Sequence, residues 1–334
     1  MKVVIRILIG ALLALGINGM SAAHPTFAAA TVSGCPTSES ALQTDITNAG
    51  AGGTVTFNCS TATTITFGST ITISNTVTLD GSTSRGRVTL DGGGATQMFV
   101  VNSGVTVYLT ALTLSSGHAF TYDGTYSGDC GGAIFNYGAV TVTNSTFSGN
   151  HADSGGAVCS SGTVTVFNST FSGQRSDQFG GAIGNDVNGT VTITTSTFSG
   201  NSAGSYGGAI FNEGNMTVLN STFSTNLSAS GTSGGGDYGG AILNNNNATL
   251  QLGGTVISSS PGGPAFRSAR SPTLGTTSYP MAIALVAGRV TSRAPARVST
   301  PTVYGTMAVL PRLSLSSRAA RPSIRSRRRI PYRA

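Results

Sequence analysis

The chain has 334 residues, of which only 9% are charged, 47 are glycine and none is tryptophan. This composition excludes a helical bundle or a doubly wound α/β enzyme and favours short strands joined by tight turns. The formal net charge of +7 does not indicate nucleic-acid binding, because the charges are segregated along the chain.

The charge segregation separates an acidic region from a basic one. Residues 31–251 hold all eleven acidic residues against three arginines, which is a net charge of −8. Residues 267–333 hold 13 arginines and no acid. The high isoelectric point therefore describes the C-terminal segment and not the rest of the chain.

The first 30 residues have the pattern of a secretory signal peptide. Lys2 and Arg6 form a positive start, and the apolar run Ile7–Ile17 is too short for a membrane span. Cleavage is expected after Ala23 or Ala30, and a retained membrane anchor is the alternative. Export would place the chain in a compartment that permits disulfides.

Residues 31–53 are expected to form an N-terminal cap. Leu42 and Ile46 lie four positions apart within Ser38–Ala49, which predicts a short amphipathic helix. Such a helix would cover the open end of the strands that follow and prevent edge-to-edge aggregation.

Seven short alternating segments then predict strands. They are Thr54–Phe57, Thr64–Phe67, Ile71–Ile73, Thr76–Leu79, Arg87–Leu90, Met98–Val101 and Val105–Leu109. Asp80 and Asp91 each precede a glycine, so a structural role in a turn is expected for both.

Two motifs then alternate at a spacing of about 25 residues. Gly-Gly-Ala-hydrophobic begins with a pair of glycines, which are Gly131 and Gly132, Gly155 and Gly156, Gly180 and Gly181, Gly207 and Gly208, and Gly239 and Gly240. Ser-Thr-Phe ends at Phe147, Phe171, Phe198 and Phe223. The glycine pairs predict tight corners, where a side chain would clash or φ must be positive.

Equivalent positions in successive units carry the same kind of side chain. Val140, Val164 and Val191 stand seven residues before successive phenylalanines, in segments that alternate with the period of a strand. A polar column three residues after each phenylalanine consists of Asn150, Gln174, Asn201 and Asn226. Like side chains stacked on parallel strands predict an all-β solenoid over residues 54–260, of roughly eight coils.

Four cysteines are present. Cys35 with Cys59 would close the N-terminal end, and Cys130 with Cys159 would join neighbouring coils. The sequence does not fix these pairings, and free buried thiols are the alternative.

The alternating motifs resemble the repeats of the polymorphic outer membrane protein family, which are marked by GGA-[ILV] and F-x-x-N. Both occur at Gly131–Ile134 with Phe147–Asn150, and again at Gly207–Ile210 with Phe223–Asn226. Gln174 and Val158 depart from the pattern. The resemblance implies a right-handed, pectin-lyase-like parallel β-helix and an exported, adhesin-like surface protein. Full-length chlamydial members end in a translocator barrel, for which this chain has no room.

Residues 261–334 lack the repeat and are rich in arginine, serine and proline. One interpretation is a disordered basic segment. The other is a shifted reading frame, because reading one nucleotide earlier at Met281 and Met307 permits sequences typical of the ends of such repeat proteins. The nucleotide sequence of the gene decides between the two, and a non-native segment would not be expected to pack.

The sequence offers few candidates for catalysis. Of the histidines, His24 falls near the signal cleavage sites, and His118 and His151 show no recognisable partner spacing. Asp129 and Asp153 each stand two residues before a glycine pair, so on adjacent coils they could share a Ca²⁺ ion. Solvated loop positions are the alternative for both residues, and no other cofactor is expected.

These observations favour a non-catalytic, secreted or cell-surface solenoid that binds a partner or has a structural role. The expected partners are a surface glycan, an envelope component or another cell; nucleic acid is not expected, and the protein is expected to be a monomer. The alternatives are a polysaccharide lyase or glycoside hydrolase, which would need clustered carboxylates, and a damaged fragment of a larger surface protein.

Overall fold

The computed structural model describes residues 29–119, 129–229, 239–245 and 247–258, together with the backbone of three short strands further on. The predicted signal peptide and most of the basic segment lie outside these residues. The described chain is almost entirely short strands, and its one described helix, α1, spans Glu39–Ala49.

All the strands pair in parallel with the equivalent strand of the next coil and form four sheets. Sheet A contains Thr31–Gly34, Gly53–Phe57, Val77–Asp80, Thr106–Thr110, Ala139–Thr143, Thr163–Phe167, Thr190–Thr194, Asn215–Leu219 and Thr249–Gly253. Sheet B contains Thr63–Thr66, Val88–Asp91, Thr113–Ser115, Thr146–Ser148, Thr170–Ser172, Thr197–Ser199, Thr222–Ser224, Val256–Ser258 and Ala284–Val286.

The other two sheets complete each coil. Sheet C contains Ile71–Ile73, Phe99–Val101, Ile134–Asn136, Val158–Ser160, Ile183–Asn185, Ile210–Asn212, Ile242–Asn244, Phe266–Ser268 and Val290–Ser292. Sheet D is shorter and contains His118–Ala119, His151–Ser154, Arg175–Phe179, Ser202–Ala203 and Leu227–Ser228. In the GGA coils the chain passes through sheets A, B, D and C in turn, so the prediction of a parallel β-solenoid is confirmed.

The extent of the stack agrees with the sequence estimate. From Gly53–Phe57 to Thr249–Gly253, sheet A has eight strands with seven complete turns between them. Strands Phe266–Ser268, Ala284–Val286 and Val290–Ser292 continue sheets B and C. These three strands lie inside the segment for which the sequence predicts a disordered tail, and the rest of that segment is outside the described residues.

The interior is built from matching side chains of successive coils. Val140 pairs with Val164, and Val164 with Val191, in the register that the repeat predicts. The phenylalanines at 147, 171, 198 and 223 stack with ring centroids 4.5 to 4.8 Å apart. All four rings are fully buried, so the repeat encodes one continuous apolar core.

The glycine pairs form the corners that lead into sheet C, and their two positions are not equivalent. The first glycine has a φ between 57° and 73° in every pair, at Gly131, Gly155, Gly180, Gly207 and Gly239. The second glycine does not have a positive φ at any of Gly132, Gly156, Gly181, Gly208 and Gly240. It is a position of close approach alone: a Cβ on Gly132 would stand 2.4 Å from the His151 carbonyl oxygen, and one on Gly208 would stand 2.1 Å from the Gly240 carbonyl oxygen. The first glycine has a close approach as well as a positive φ, since a Cβ on Gly131 would stand 2.0 Å from the Ile134 carbonyl oxygen. The expectation of tight corners, where a side chain would clash or φ must be positive, is therefore confirmed.

Polar side chains form ladders inside the corners of the coils. Asn150 donates to Gln174 Oε1 over 3.0 Å, and Asn201 donates to Asn226 Oδ1 over 2.9 Å. These side chains also bond backbone groups of adjacent coils, as Asn201 does with the carbonyl of Phe171. The buried amides therefore satisfy turn backbone that would otherwise lack partners.

The N-terminal end of the stack is covered as the sequence predicts. Ser38 caps α1 by accepting a hydrogen bond from the Ala41 amide, and Leu42 and Ile46 are buried against the first coil. Glu39 accepts hydrogen bonds from the amides of Gly68 and Ser69, both over 2.8 Å. The hydrogen bond from the Ser69 side chain, together with these amides, outweighs burial and lowers the pKa of Glu39.

Both cysteine pairs considered in the sequence are disulfides in the structure, Cys35–Cys59 beside the cap and Cys130–Cys159 between neighbouring coils. Asp80 and Asp91 have the structural role expected of them, because each accepts a hydrogen bond from the amide two residues later. Within the described part of the chain, no helix is long and apolar enough to cross a membrane.

Candidate functional site

Sheet D brings His118 and His151, for which the sequence showed no partner, close to each other, and His151 close to Asp177. His118 pairs with His151 on the next coil, and their rings stack with centroids 4.8 Å apart. His151 Nε2 lies 3.2 Å from Asp177 Oδ1, which Arg175 also contacts at 3.0 Å. The histidine spacing was unrecognisable because the coil between them is longer than the repeat. Arg175 is 66% exposed, so its pair with Asp177 contributes little to stability.

Asp129 and Asp153 occupy adjacent coils, as the sequence suggested. The Asp153 amide donates to the Asp129 carbonyl over 2.9 Å, and Asp129 is buried. Burial and the nearby charges of Asp129 and Asp177 raise the pKa of Asp153, against the opposing effect of His151. Burial also acts to raise the pKa of Asp177, but the hydrogen bonds and charges of His151 and Arg175 outweigh it and lower that pKa.

The calcium hypothesis for Asp129 and Asp153 stays a prediction. Ca²⁺ takes about six to eight oxygen ligands, and across the described ranges no group of three or more His, Cys, Asp or Glu side chains is arranged to hold a metal. The stacked imidazoles of His118 and His151 are nearly parallel, with an interplanar angle of 11°. Rings stacked face to face do not converge on one ion.

A groove with a volume of about 520 Å³ lies on the outer face of sheet C. We name it the aromatic groove, and its lining comprises Cys130, Phe135, Tyr137, Ser154, Cys159, Ser161, Phe179, Gly184, Asn185, Asp186, Phe211 and Glu213. A volume of this size is within the range of ligand-binding clefts.

The groove follows from the residue that comes directly after each GGA-hydrophobic motif. The hydrophobic residue points into the core, so its successor points outward. This outward column reads Phe135, Cys159, Gly184, Phe211 along the coils. Gly184 has no side chain, and it lies in this column between Cys159 and Phe211. All four residues of the column line the aromatic groove.

Aromatic rings stand at both ends of the groove. Phe135 and Tyr137 are in contact at one end, with centroids 4.4 Å apart, and Tyr137 is 45% exposed. Phe179 packs on Phe211 at the other end, at 4.9 Å, with Tyr206 behind it at 5.7 Å. Three strand spacings separate Phe135 from Phe211 along the axis, roughly 14 Å.

Two acidic residues occupy adjacent coils on the same side of the groove. Asp186 follows Asn185 and Glu213 follows Asn212, and these asparagines are paired in register. Asp186 accepts hydrogen bonds from Ser161 Oγ at 3.0 Å and the Val187 amide at 2.7 Å. Glu213 accepts one from Asn245 at 2.7 Å. Both carboxylates are held in place by neighbouring loops, and within the described part of the chain no Lys or Arg lines the groove.

Sequence reasoning missed the aromatic groove entirely. Its walls depend on Phe135, Phe179 and Phe211, and its acidic side on Asp186 and Glu213. The signal that could have found it is the residue after each GGA-hydrophobic motif, where aromatic residues replace the polar ones expected on an outward face.

The protein is a parallel β-solenoid in which GGA and F-x-x-N motifs alternate over the coils from Gly131 to Asn226, with Gln174 in place of one asparagine. Residues 144–161 and 195–213 match the model of the Chlamydia polymorphic membrane protein repeat. These two matched segments bear out the resemblance of the repeats that is seen in the sequence. The fold and the matches together describe a repeat protein of the solenoid type.

Comparisons with curated proteins and with solved structures gave no match.

Proposed function

We propose that this protein is a non-catalytic, exported surface solenoid with an adhesin-like role, and that it binds its partner through the aromatic groove. The observation that carries the proposal is an open groove with aromatic walls on a rigid stack of family repeats. Aromatic side chains on a surface supply large contact areas at low entropic cost, as they do at protein interfaces. The partner would be a surface glycan, an envelope component or another cell.

The stacked coils explain why the groove can serve as a binding site. Each wall is fixed by strands that hydrogen-bond to coils on both sides, as Ile183–Asn185 does with Val158–Ser160 and Ile210–Asn212. The groove is therefore formed before a partner arrives, which lowers the entropic cost of binding.

Retention of protein-coated beads on cells and on isolated envelopes tests the adhesin-like role. Beads that carry the full chain are expected to be retained saturably, and Tyr137→Ala is expected to reduce retention because it removes an exposed wall of the groove. Phe167→Ala is the matched control, since Phe167 is similarly exposed at 47% but lies on sheet A. Retention no greater than that of albumin-coated beads would overturn the proposal.

One observation favours an enzyme as the second candidate. Asp186 and Glu213 on adjacent coils resemble the paired carboxylates that glycoside hydrolases need. Incubation with a panel of polysaccharides, followed by measurement of reducing ends and unsaturated products, separates the two functions. Product formation that is abolished by Glu213→Gln would replace the binding proposal with catalysis.

A further inference from the structure

We infer that the aromatic groove binds a positively charged peptide segment of a partner protein, with a Lys or Arg side chain seated between the rings and the carboxylates of Asp186 and Glu213. The inference rests on the proposed binding function and names the chemistry of the partner.

The carboxylates favour a cation. Asp186 and Glu213 sit on adjacent coils, and their hydrogen-bond donors within the protein are neutral: a hydroxyl, an amide and an asparagine side chain. An ionised carboxylate can accept several hydrogen bonds, so both retain acceptor capacity. The described residues that line the groove include no basic side chain, and an incoming ammonium or guanidinium group would supply a counter-charge.

The aromatic walls favour the same ligand. The negative face of an aromatic ring attracts a cation, and guanidinium groups also stack on such faces. Tyr137 is 45% exposed, and its ring contacts Phe135 in the same wall. Rings and carboxylates around one cleft therefore recognise both the apolar stem and the charged head of a Lys or Arg side chain.

The charge of the surrounding chain has the right sign as well. Residues 31–251, which contain all the described lining of the groove, carry a net charge of −8, and negative charge near a site attracts cationic groups. The 13 arginines of residues 267–333 act against this attraction in the full chain. The volume of about 520 Å³ exceeds that of one side chain, so flanking backbone of the partner also fits. An acidic polysaccharide is disfavoured by the same charges.

Fluorescence polarisation with the full chain tests this inference. Three labelled probes are used: short peptides of Gly and Ser that carry Arg or Lys residues, the same peptide with Glu in their place, and cellotriose as a neutral oligosaccharide. The basic peptides are expected to bind and the acidic peptide is not. Raising the salt concentration to roughly 0.5 M should weaken binding about tenfold or more, because exposed charges are screened.

Charge-matched variants separate the groove from the general acidity of the chain. Asp186→Asn with Glu213→Gln is expected to weaken binding of the basic peptides about tenfold or more. Asp80→Asn with Asp91→Asn removes the same charge at turns outside the groove and should leave the affinity within about twofold. Asn can make the same turn hydrogen bonds as Asp, so the control should fold normally.

Three results would overturn the inference. One is equal weakening by the two double variants, which would mean attraction to the whole acidic surface. A second is salt-independent binding of cellotriose in the groove with no binding of basic peptide. The third is no binding of any basic peptide while cell retention persists. The adhesin-like function survives all three; it fails when bead retention is absent or when the polysaccharide assay shows catalysis that depends on Glu213.

Discussion

The two glycines of each GGA motif are required for overlapping physical reasons. Gly155 has φ of +57°, a left-handed conformation that side chains disfavour, and a Cβ there would also stand 2.2 Å from the Val158 carbonyl oxygen. A Cβ on Gly156 would stand 2.2 Å from the Arg175 carbonyl oxygen and 2.3 Å from the Gly181 carbonyl oxygen. The first position therefore combines a positive φ with a collision, and the second has the collision alone.

Alanine substitutions separate strain from collision. Gly156→Ala is expected to lower the free energy of unfolding by about 3 kcal/mol, because the new methyl group meets backbone of neighbouring coils. Gly173→Ala is the control, since Gly173 has φ of +63° with open space around its Cβ position. Its cost should be about 1 to 2 kcal/mol from backbone strain alone. Urea denaturation measures both, and equal losses would contradict the collision argument.

The last residues of successive sheet C strands form a column of hydrogen-bonded asparagines, which is interrupted by Ser160. Asn185 donates to Asn212 Oδ1 over 2.6 Å, and Asn212 donates in turn to Asn244. Asn136 donates to Ser160 Oγ over 3.0 Å. The serine is too short to continue the ladder, and the buried Oδ1 of Asn185 has no hydrogen-bond partner.

Ser160→Asn is expected to raise stability. The new Nδ2 would donate to Asn185 Oδ1, and the new Oδ1 would accept from Asn136 and from the Gly162 amide, which both bond Ser160 Oγ now. Satisfying one buried acceptor should add about 1 kcal/mol to the free energy of unfolding. Thermal unfolding measures the change as a higher Tm.

Ser160→Ala is the companion variant for the ladder. It leaves the Asn136 side chain and the Gly162 amide without their common acceptor, so Tm should fall. A Tm of Ser160→Asn at or below that of the unmodified protein would show that the corner has no room for the longer side chain.

Elements that carry the repeat were predictable from sequence, and elements that interrupt it were not. The strand Thr163–Phe167 and its neighbours follow from alternating Val and Thr, because every second side chain must be buried. The short strands of sheet D, such as His118–Ala119, have no such pattern. They form because their backbone groups hydrogen-bond to the neighbouring coils, as the His118 amide does with the Thr96 carbonyl. The aromatic groove is lined by Phe135, Phe179 and Phe211, which the stacking of separate coils brings to one place.

At the scale of the whole molecule, stability is a sum over coils and their interfaces. Each inner coil pairs with the coils on both sides of it. In the described part of the chain, the apolar side chains of all coils form one shared core. Such an array should tolerate loss of a complete unit, provided that the ends that are joined keep the register of all four sheets.

Removal of one coil tests this architecture directly. Deletion of the 27 residues Gly180–Tyr206 joins Phe179 to Gly207, which starts the next GGA motif. Val164 then stacks on Met216, and Phe171 on Phe223, so the core is rebuilt from equivalent side chains. The shortened chain is expected to keep a β-type circular dichroism spectrum and one cooperative urea transition. Its m-value should fall by roughly one-eighth, because m scales with the surface exposed on unfolding.

Deletion of the 13 residues Gly180–Thr192 is the matched control for register. It joins the end of a sheet D strand to the middle of a sheet A strand, so residues 193–206 keep no GGA motif and must leave the stack as a loop before Gly207. Closing such a loop costs conformational entropy, so this variant should unfold at a lower urea concentration than the 27-residue deletion. If both deletions unfold the protein alike, the coils do not act as interchangeable units. If the 13-residue deletion is the more stable of the two, alignment of like side chains is not what holds the stack together.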